Sequence, residues 1–130
     1  MSPDELPQSN TAELLRWLFR RRRRFRVTGD SMRPLLRPGD EVLVNPRAYR
    51  QRPPAPGDLV VARHPYQTGV KLIKRVQDVD EHGRCRLIGD NPLYSSDSRS
   101  FGRITPENIL GRVTSRFGGY GRKRPQIPPK

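Results

Sequence analysis

Proline and glycine interrupt this chain so often that it has little room for long helices. The 130 residues include 14 prolines and 11 glycines, and only 32% of them are hydrophobic. Proline lacks the backbone N–H that a helix or sheet needs, and glycine loses the most conformational freedom on folding. A chain of this length fits one domain. We therefore predict a small, loop-rich domain that is mainly β.

The segments between these breakers have the apolar and β-branched character of short strands. We predict strands at residues 25–28, 41–45, 59–62, 70–79, 84–88 and 110–117. Thr105 precedes a proline, as an N-cap residue often does, and predicts one helical turn before the last strand. The polar segment 89–102 is a long loop, and such loops in small domains often carry function.

One helix is expected near the N-terminus. Asn10 and Glu13 have the spacing of a capping box, and four apolar residues then share one helical face: Leu14, Leu15, Leu18 and Phe19. We predict a helix from about residue 11 to about residue 22, preceded by disorder at residues 1–9. The apolar face either packs on the domain or docks on a membrane surface or a partner, and both readings stay open.

Positive charge dominates the chain. Lysine and arginine number 26 against 13 acidic residues, which gives a net charge of +13. This balance indicates an acidic partner, whether nucleic acid, an anionic membrane or an acidic protein. The densest run, Arg20 to Arg24, is by default a solvated surface, and the alternative is a phosphate-binding patch.

No segment has the roughly 18 apolar residues that a membrane span needs. A secretory signal is also not indicated, because the basic run follows the apolar patch instead of preceding it. We therefore expect a cytoplasmic protein, with peripheral membrane contact left open.

The chain offers little for metal or thiol chemistry. Cys85 is the single cysteine and alternates with Leu87, which predicts a small buried hydrophobe. His64 and His82 stand at a strand end and a hairpin turn, without an evident carboxylate to orient them. No His/Cys cluster has metal-ligand spacing, and no glycine-rich phosphate loop is present. We expect neither a metal nor another cofactor.

A serine and a lysine are the candidates for catalysis. Ser31 stands at a turn where a predicted strand meets Gly29, a position that suits a nucleophile but also an ordinary turn. Strand alternation puts Lys74 between Leu72 and Val76 on the predicted core face, whereas Lys71 falls on the more polar face.

Lys74 either extends along its methylene stem to solvent or is buried with a lowered pKa. Only the buried form could be neutral and accept a proton. Lowering a lysine pKa from about 10.4 to the range of about 7–8 that suits a general base costs about 3–4 kcal/mol.

Four stretches, in this order, resemble the type I signal peptidase superfamily of Ser/Lys proteases. They lie at 29–40 (Gly-Asp-Ser-Met-Arg-Pro and onward), 56–61 (Pro-Gly-Asp), 73–76 (Ile-Lys-Arg-Val) and 89–102 (Gly-Asp-Asn). The resemblance implies a small coiled, barrel-like β-sheet as a catalytic domain at residues 25–117. Residues 1–24 would hold a tail, a short helix and the arginine block, and residues 118–130 a disordered basic tail.

The resemblance implies a role for each matching residue. Ser31 would be the nucleophile and Lys74 the general base, while Ser95 would orient the lysine amine. The backbone N–H of Ser31 would stabilise the oxyanion.

Four further residues match supporting positions of the superfamily. Gly29 stands where some members carry a hydroxyl donor, which this chain lacks. Met32 matches a residue packed beside the site, and Asp97 with Arg99 matches a structural ion pair.

Residues 71–76 and 109–113 most resemble the nickel-type superoxide dismutase maturation proteases, which also lack a membrane anchor. That family is understood to remove the leader of the dismutase precursor and so expose the residues that ligate nickel. The resemblance implies a serine endopeptidase with this precursor as its protein substrate.

Two alternatives are a membrane-associated signal peptidase acting on exported preproteins and a basic nucleic-acid-binding module. Sparse aromatic residues in the basic runs weaken the nucleic-acid reading.

Overall fold

Six antiparallel strands form one sheet in the computed structural model of this protein, which describes residues 6–18, 21–93 and 101–116. The elements are helix α1 (Thr11–Leu18), β1 (Arg23–Arg26), β2 (Glu41–Asn45), β3 (Leu59–Arg63), β4 (Lys71–Val79), β5 (Cys85–Ile88), a 3-10 turn (Pro106–Asn108) and β6 (Ile109–Arg116). The strand order is β1-β2-β6-β3-β4-β5, and the sheet curls into a half-barrel. The predicted fold, a mainly β barrel-like domain with a short N-terminal helix, is confirmed.

Apolar side chains cover both faces of this sheet, which explains why the first four residues of β3, Leu59 to Ala62, are all apolar. Val61 belongs to a buried cluster with Met32 and Ile73. Its neighbour Val60 points the other way, into a second cluster that contains Val76 and Leu87 among others. Ile73 is 6% exposed, so the face of β4 that we predicted to be the more polar one is also packed at this position.

The predicted C-terminal end of the helix is wrong. Helix α1 ends at Leu18, residues 21 and 22 form bends, and β1 begins at Arg23, two residues before the predicted strand. The arginines of β1 are held by strand pairing with β2. The carboxylate of Glu41 in β2 also accepts hydrogen bonds from Arg24 and Arg26.

The expectation of disorder before the helix is wrong for residues 6–9. Gln8 forms a parallel bridge with Arg116 at the end of β6. The backbone N–H of Ser9 donates to the carbonyl oxygen of Arg116 at 2.9 Å. The N–H of Arg116 in turn donates to the carbonyl oxygen of Pro7 at 2.8 Å. Strand β3 pairs with β6 only as far as Arg112, so this segment occupies the side of β6 that β3 leaves uncovered.

Helix α1 is attached to the sheet through Glu13. The hydroxyl of Thr114 in β6 donates to the Glu13 carboxylate at 2.7 Å, and the backbone N–H of Glu13 donates to the Asn10 side chain at 2.9 Å, as predicted for the cap. Burial alone would raise the pKa of Glu13, but the Thr114 hydrogen bond and the Arg22 charge hold it below its usual value. No helix within the described residues is long and apolar enough to cross a bilayer.

Candidate active site

Two buried side chains, those of Met32 and Leu36, hold the turn that contains Ser31 against the core. The N–H of Arg33 donates to the carbonyl of Asp30 at 3.1 Å, and the N–H of Leu36 donates to that of Met32 at 2.9 Å. Met32 and Leu36 are fully buried. Met32 therefore packs into the core next to Ser31, which is itself half-buried.

A Pro-Gly-Asp turn holds the strand that leads into this segment. The N–H of Asp40 donates to the carbonyl of Arg37 at 3.0 Å, and Gly39 has a φ of +93°, as in a type II turn. Backbone hydrogen bonds of 2.8 Å join Val27 to both Gly39 and Asp40. The residues before Ser31 are thus fastened on one side by a turn that only glycine makes easily.

Lys74 is buried in the middle of β4. It is 3% exposed and lies opposite Val60 of β3. The alternative in which Lys74 extends along its methylene stem to solvent is therefore wrong. Removal of an amine from water disfavours its charged form, which is the condition that a lysine base requires.

Gly89 lies against Ser31 and close to strand β4, which carries Lys74. Strand β5 ends at Ile88, which pairs with Arg75, the residue directly after Lys74, and Gly89 is the next residue in the chain. A Cβ atom added to Gly89 would lie 2.7 Å from the Ser31 carbonyl oxygen and 3.2 Å from the Ser31 Cβ. Gly89 thus meets the Ser31 turn one residue after the strand that pairs beside Lys74, and a side chain at position 89 would collide with that turn.

Asn91 holds the backbone of the serine turn twice. Its N–H donates to the carbonyl oxygen of Ser31 at 2.8 Å. Its side-chain amide donates to the carbonyl oxygen of Asp30 at 3.0 Å. Two consecutive carbonyls of the turn are therefore fixed by one residue that follows β5.

A half-buried ion pair fastens this loop to the lysine strand. Arg75, the residue after Lys74, donates from Nε and one terminal nitrogen to the two carboxylate oxygens of Asp90, at 2.9 and 2.8 Å. Its other terminal nitrogen donates to the carbonyl of Gly57 at 3.0 Å. Bidentate pairs of this kind fix geometry as well as charge. The pair keeps residues 89–91 in place between Lys74 and Ser31.

The remaining predicted site residues fall into two groups. Gly29 is exposed, and a Cβ atom added there would meet nothing within 4 Å. Ser95, Asp97 and Arg99 lie outside the described residues, so their roles stay predictions. So does the basic tail at residues 118–130.

The other reactive side chains lie in structural positions. Cys85 is fully buried as predicted, and burial raises the pKa of its thiol to about 11. The Nδ1 atom of His64 accepts hydrogen bonds from the backbone N–H groups of Tyr66 and Gln67, at 3.0 and 3.1 Å. His82 is exposed beside Glu81. Within the described residues, no group of three or more His, Cys, Asp or Glu side chains could hold a metal ion.

Sequence reasoning did not assign a role to Gly89 or Asn91. Both belong to a stretch that was recognised by resemblance, but their contacts with Ser31 cross almost sixty positions of sequence. A glycine directly after a strand is a signal of close backbone approach, and it could have marked Gly89.

Comparison with known proteins gives one family match and several relatives. A family model described as signal peptidase, peptidase S26, matches residues 14–80. Signal peptidase I of Pseudomonas fluorescens is 33% identical over 108 residues, and that of Pseudomonas aeruginosa is 30% identical over 108 residues. Each alignment covers 72% of this chain and 35% of the relative, so the chain spans about a third of those proteins. A probable signal peptidase I-1 of Synechocystis is 28% identical over 134 residues, which covers 70% of this chain and 68% of the relative.

Proposed function

Since this chain belongs to the signal peptidase family, peptidase S26, we propose that it is a serine endopeptidase that removes N-terminal leader peptides. Ser31 is its nucleophile and Lys74 its general base. The observation that carries the proposal is the position of Gly89, which lies against the Ser31 backbone and directly follows the strand that pairs with β4 beside the buried Lys74.

The proposed reaction needs only these groups and water. The neutral Lys74 amine takes the proton of the Ser31 hydroxyl while the serine oxygen bonds to the scissile carbonyl carbon. The backbone N–H of Ser31 stabilises the tetrahedral oxyanion. Lys74 then returns its proton to the leaving amine as the peptide bond breaks. A water molecule, deprotonated by the same lysine, hydrolyses the acyl-enzyme and restores Ser31.

The proposed substrate is the precursor of nickel superoxide dismutase, processed in the cytoplasm. What supports this choice is the likeness of segments 71–76 and 109–113 to the maturation proteases of that enzyme. The second candidate is an exported preprotein processed at a membrane, and the relatives named signal peptidase I favour it. Peripheral membrane contact through α1 would fit this second candidate, because Leu14 and Leu15 are 40% and 48% exposed.

The test is mass spectrometry of the dismutase precursor after incubation with the wild-type chain and, separately, with Ser31→Ala. We expect a single cut at the leader junction with the wild type and none with the variant. Cleavage of a generic peptide with a small residue before the cut, but not of the precursor, would reject the dismutase substrate and keep the protease. Cleavage of neither the precursor, the generic peptide nor an exported preprotein would reject the protease.

A further inference from the structure

A basic groove lies on the sheet at one end of β1, β3 and β4. Its volume is about 340 Å³, and four cationic side chains line it: Arg23, Arg24, Arg63 and Lys71. Its other lining residues are apolar and include Phe25 and Val61. Because cationic side chains surround an apolar surface in this groove, it suits a ligand that carries carboxylates on a partly apolar chain.

Within the described part of the chain, the positive charge of the groove is neutralised by a carboxylate at Arg24 alone. Arg63 and Lys71 are directly opposite each other in the β3–β4 pair, and like charges in this position destabilise a sheet. Arg63 donates to the backbone carbonyl of Glu107 at 3.2 Å. Among the described residues, no carboxylate lies within ion-pair distance of Arg23, Arg63 or Lys71, whereas Arg24 pairs with Glu41. An anionic ligand would relieve this repulsion.

The groove lies on the same face of the sheet as Met32, the residue next to Ser31, and on the opposite face from Lys74. Lys71 precedes Lys74 by three residues in β4, which is about 10 Å at the rise of a strand. Phe25 lies in β1, on the segment that leads to Ser31. An extended peptide whose scissile bond lies at Ser31 therefore brings a residue three to five positions away to the groove.

A peptide is the ligand that the position of β1 favours. Strand β1 is at the edge of the sheet, and two of the cationic side chains belong to it. An edge strand can pair with an extended peptide, which then presents alternate side chains to the pockets beside it.

We propose that this groove is a subsite for an acidic segment of the peptide substrate, three to five residues from the scissile bond. The inference rests on the proposed protease function and adds a preference for acidic sequence beside the cleavage site. Carboxylates of the substrate would lie between Arg63 and Lys71, and its backbone would run along the edge of β1.

The test measures binding to the full chain carrying Ser31→Ala, so that no peptide is cut. Two fluorescent peptides carry three Asp residues three to five positions from a small residue, one on its N-terminal and one on its C-terminal side, with matched Asn peptides as references. We expect one Asp peptide to bind about tenfold more tightly than its Asn reference in low salt, which corresponds to about 1.4 kcal/mol. Lys71→Glu should remove this preference, and Lys71→Gln should reduce it.

Arg52→Glu is the matched control, because Arg52 is an exposed loop arginine outside the groove and the change in charge is the same. The proposal is overturned if neither Asp peptide is preferred, or if Arg52→Glu weakens the preference as much as Lys71→Glu. It is also overturned in favour of a membrane site if Lys71→Glu weakens binding only to phosphatidylglycerol vesicles. Cleavage of the precursor, the generic peptide and an exported preprotein by the wild-type chain is a separate readout, and failure on all three would reject the protease function alone.

Discussion

Gly89 and Ser31 are packed backbone against backbone, so closely that a Cβ atom at position 89 would lie 2.7 Å from the Ser31 carbonyl oxygen. Asn91 adds a hydrogen bond to the same oxygen. The position of the serine is thus set by the main chain of the loop after β5. Changes in that loop should act on catalysis through geometry and leave the reacting groups themselves intact.

Gly89→Ala is expected to lower kcat by about 10- to 100-fold, because the added methyl group must displace the Ser31 turn and a shift of about 1 Å can have such an effect. Stability should fall by about 1–3 kcal/mol from overpacking. Peptide cleavage and urea denaturation measure the two effects.

A glycine far from the serine turn serves as the control for this variant. Gly83 lies in the β4–β5 hairpin and has a φ of +79°. A Cβ atom added to it would lie 3.2 Å from the side chain of Pro106. Gly83→Ala should lower stability by about 1 kcal/mol and keep kcat. An equal loss of kcat in both variants would show that Gly89 acts only through stability.

Lys74→Met is expected to lower kcat by about 100- to 10,000-fold, the usual contribution of a general base. Methionine has a similar length and suits a buried site, so the thermal unfolding midpoint should change little. Activity assays and thermal denaturation on the same preparation check both statements. Substantial retained activity would remove Lys74 as the base.

Gly29→Ser is expected to raise kcat by about tenfold, because a hydroxyl two residues before Ser31 would add a donor for the oxyanion. The open space around position 29 leaves room for the side chain. Gly29→Ala adds the Cβ without the hydroxyl and should give no such gain. Equal rates for the serine and alanine variants would argue against an oxyanion donor at this position.

Cys85 should make the protein less stable at high pH. Burial raises the pKa of its thiol from 9.0 to about 11 in the folded state. The contribution of the neutral thiol to the free energy of unfolding is therefore complete below pH 9. It is lost as the pH rises to about 11, by about 2–3 kcal/mol in total. Urea denaturation at pH 8 and pH 10.5 should show a larger loss for the wild type than for Cys85→Ala. A thiol reagent should not modify the native protein at pH 8.

Most strands could be predicted because proline and glycine bound them. Strand β2 has the predicted bounds, and β3, β4 and β5 each differ by one residue at one end. Strand β6 begins one residue before the predicted start, and its predicted last residue, Phe117, lies outside the described residues. The errors near the N-terminus have a different cause. Residues 6–9 are ordered by a strand end a hundred positions away, and Glu13 by Thr114, and neither contact leaves a local pattern.

The candidate site divides in the same way. Alternation along β4 placed Lys74 on the core face but left its burial open, and resemblance marked Ser31 as its partner. The contacts of Gly89 and Asn91 and the Arg75–Asp90 pair depend on how two segments distant in sequence meet, so no local sequence pattern indicates them.

Strand β6 lies between β2 and β3, although it is the last of the six strands in the chain. On the ribosome, the nascent chain therefore exposes unpaired edges of β2 and β3 until Ile109–Arg116 has emerged. Open edges of this kind can pair with other chains. In the strand pairing, β1 and β2 are joined to β3, β4 and β5 through β6, so the sheet that positions Ser31 and Lys74 is complete only after Ile109–Arg116 has been made. A site that depends on both residues would therefore not assemble before the last strand of the sheet has emerged.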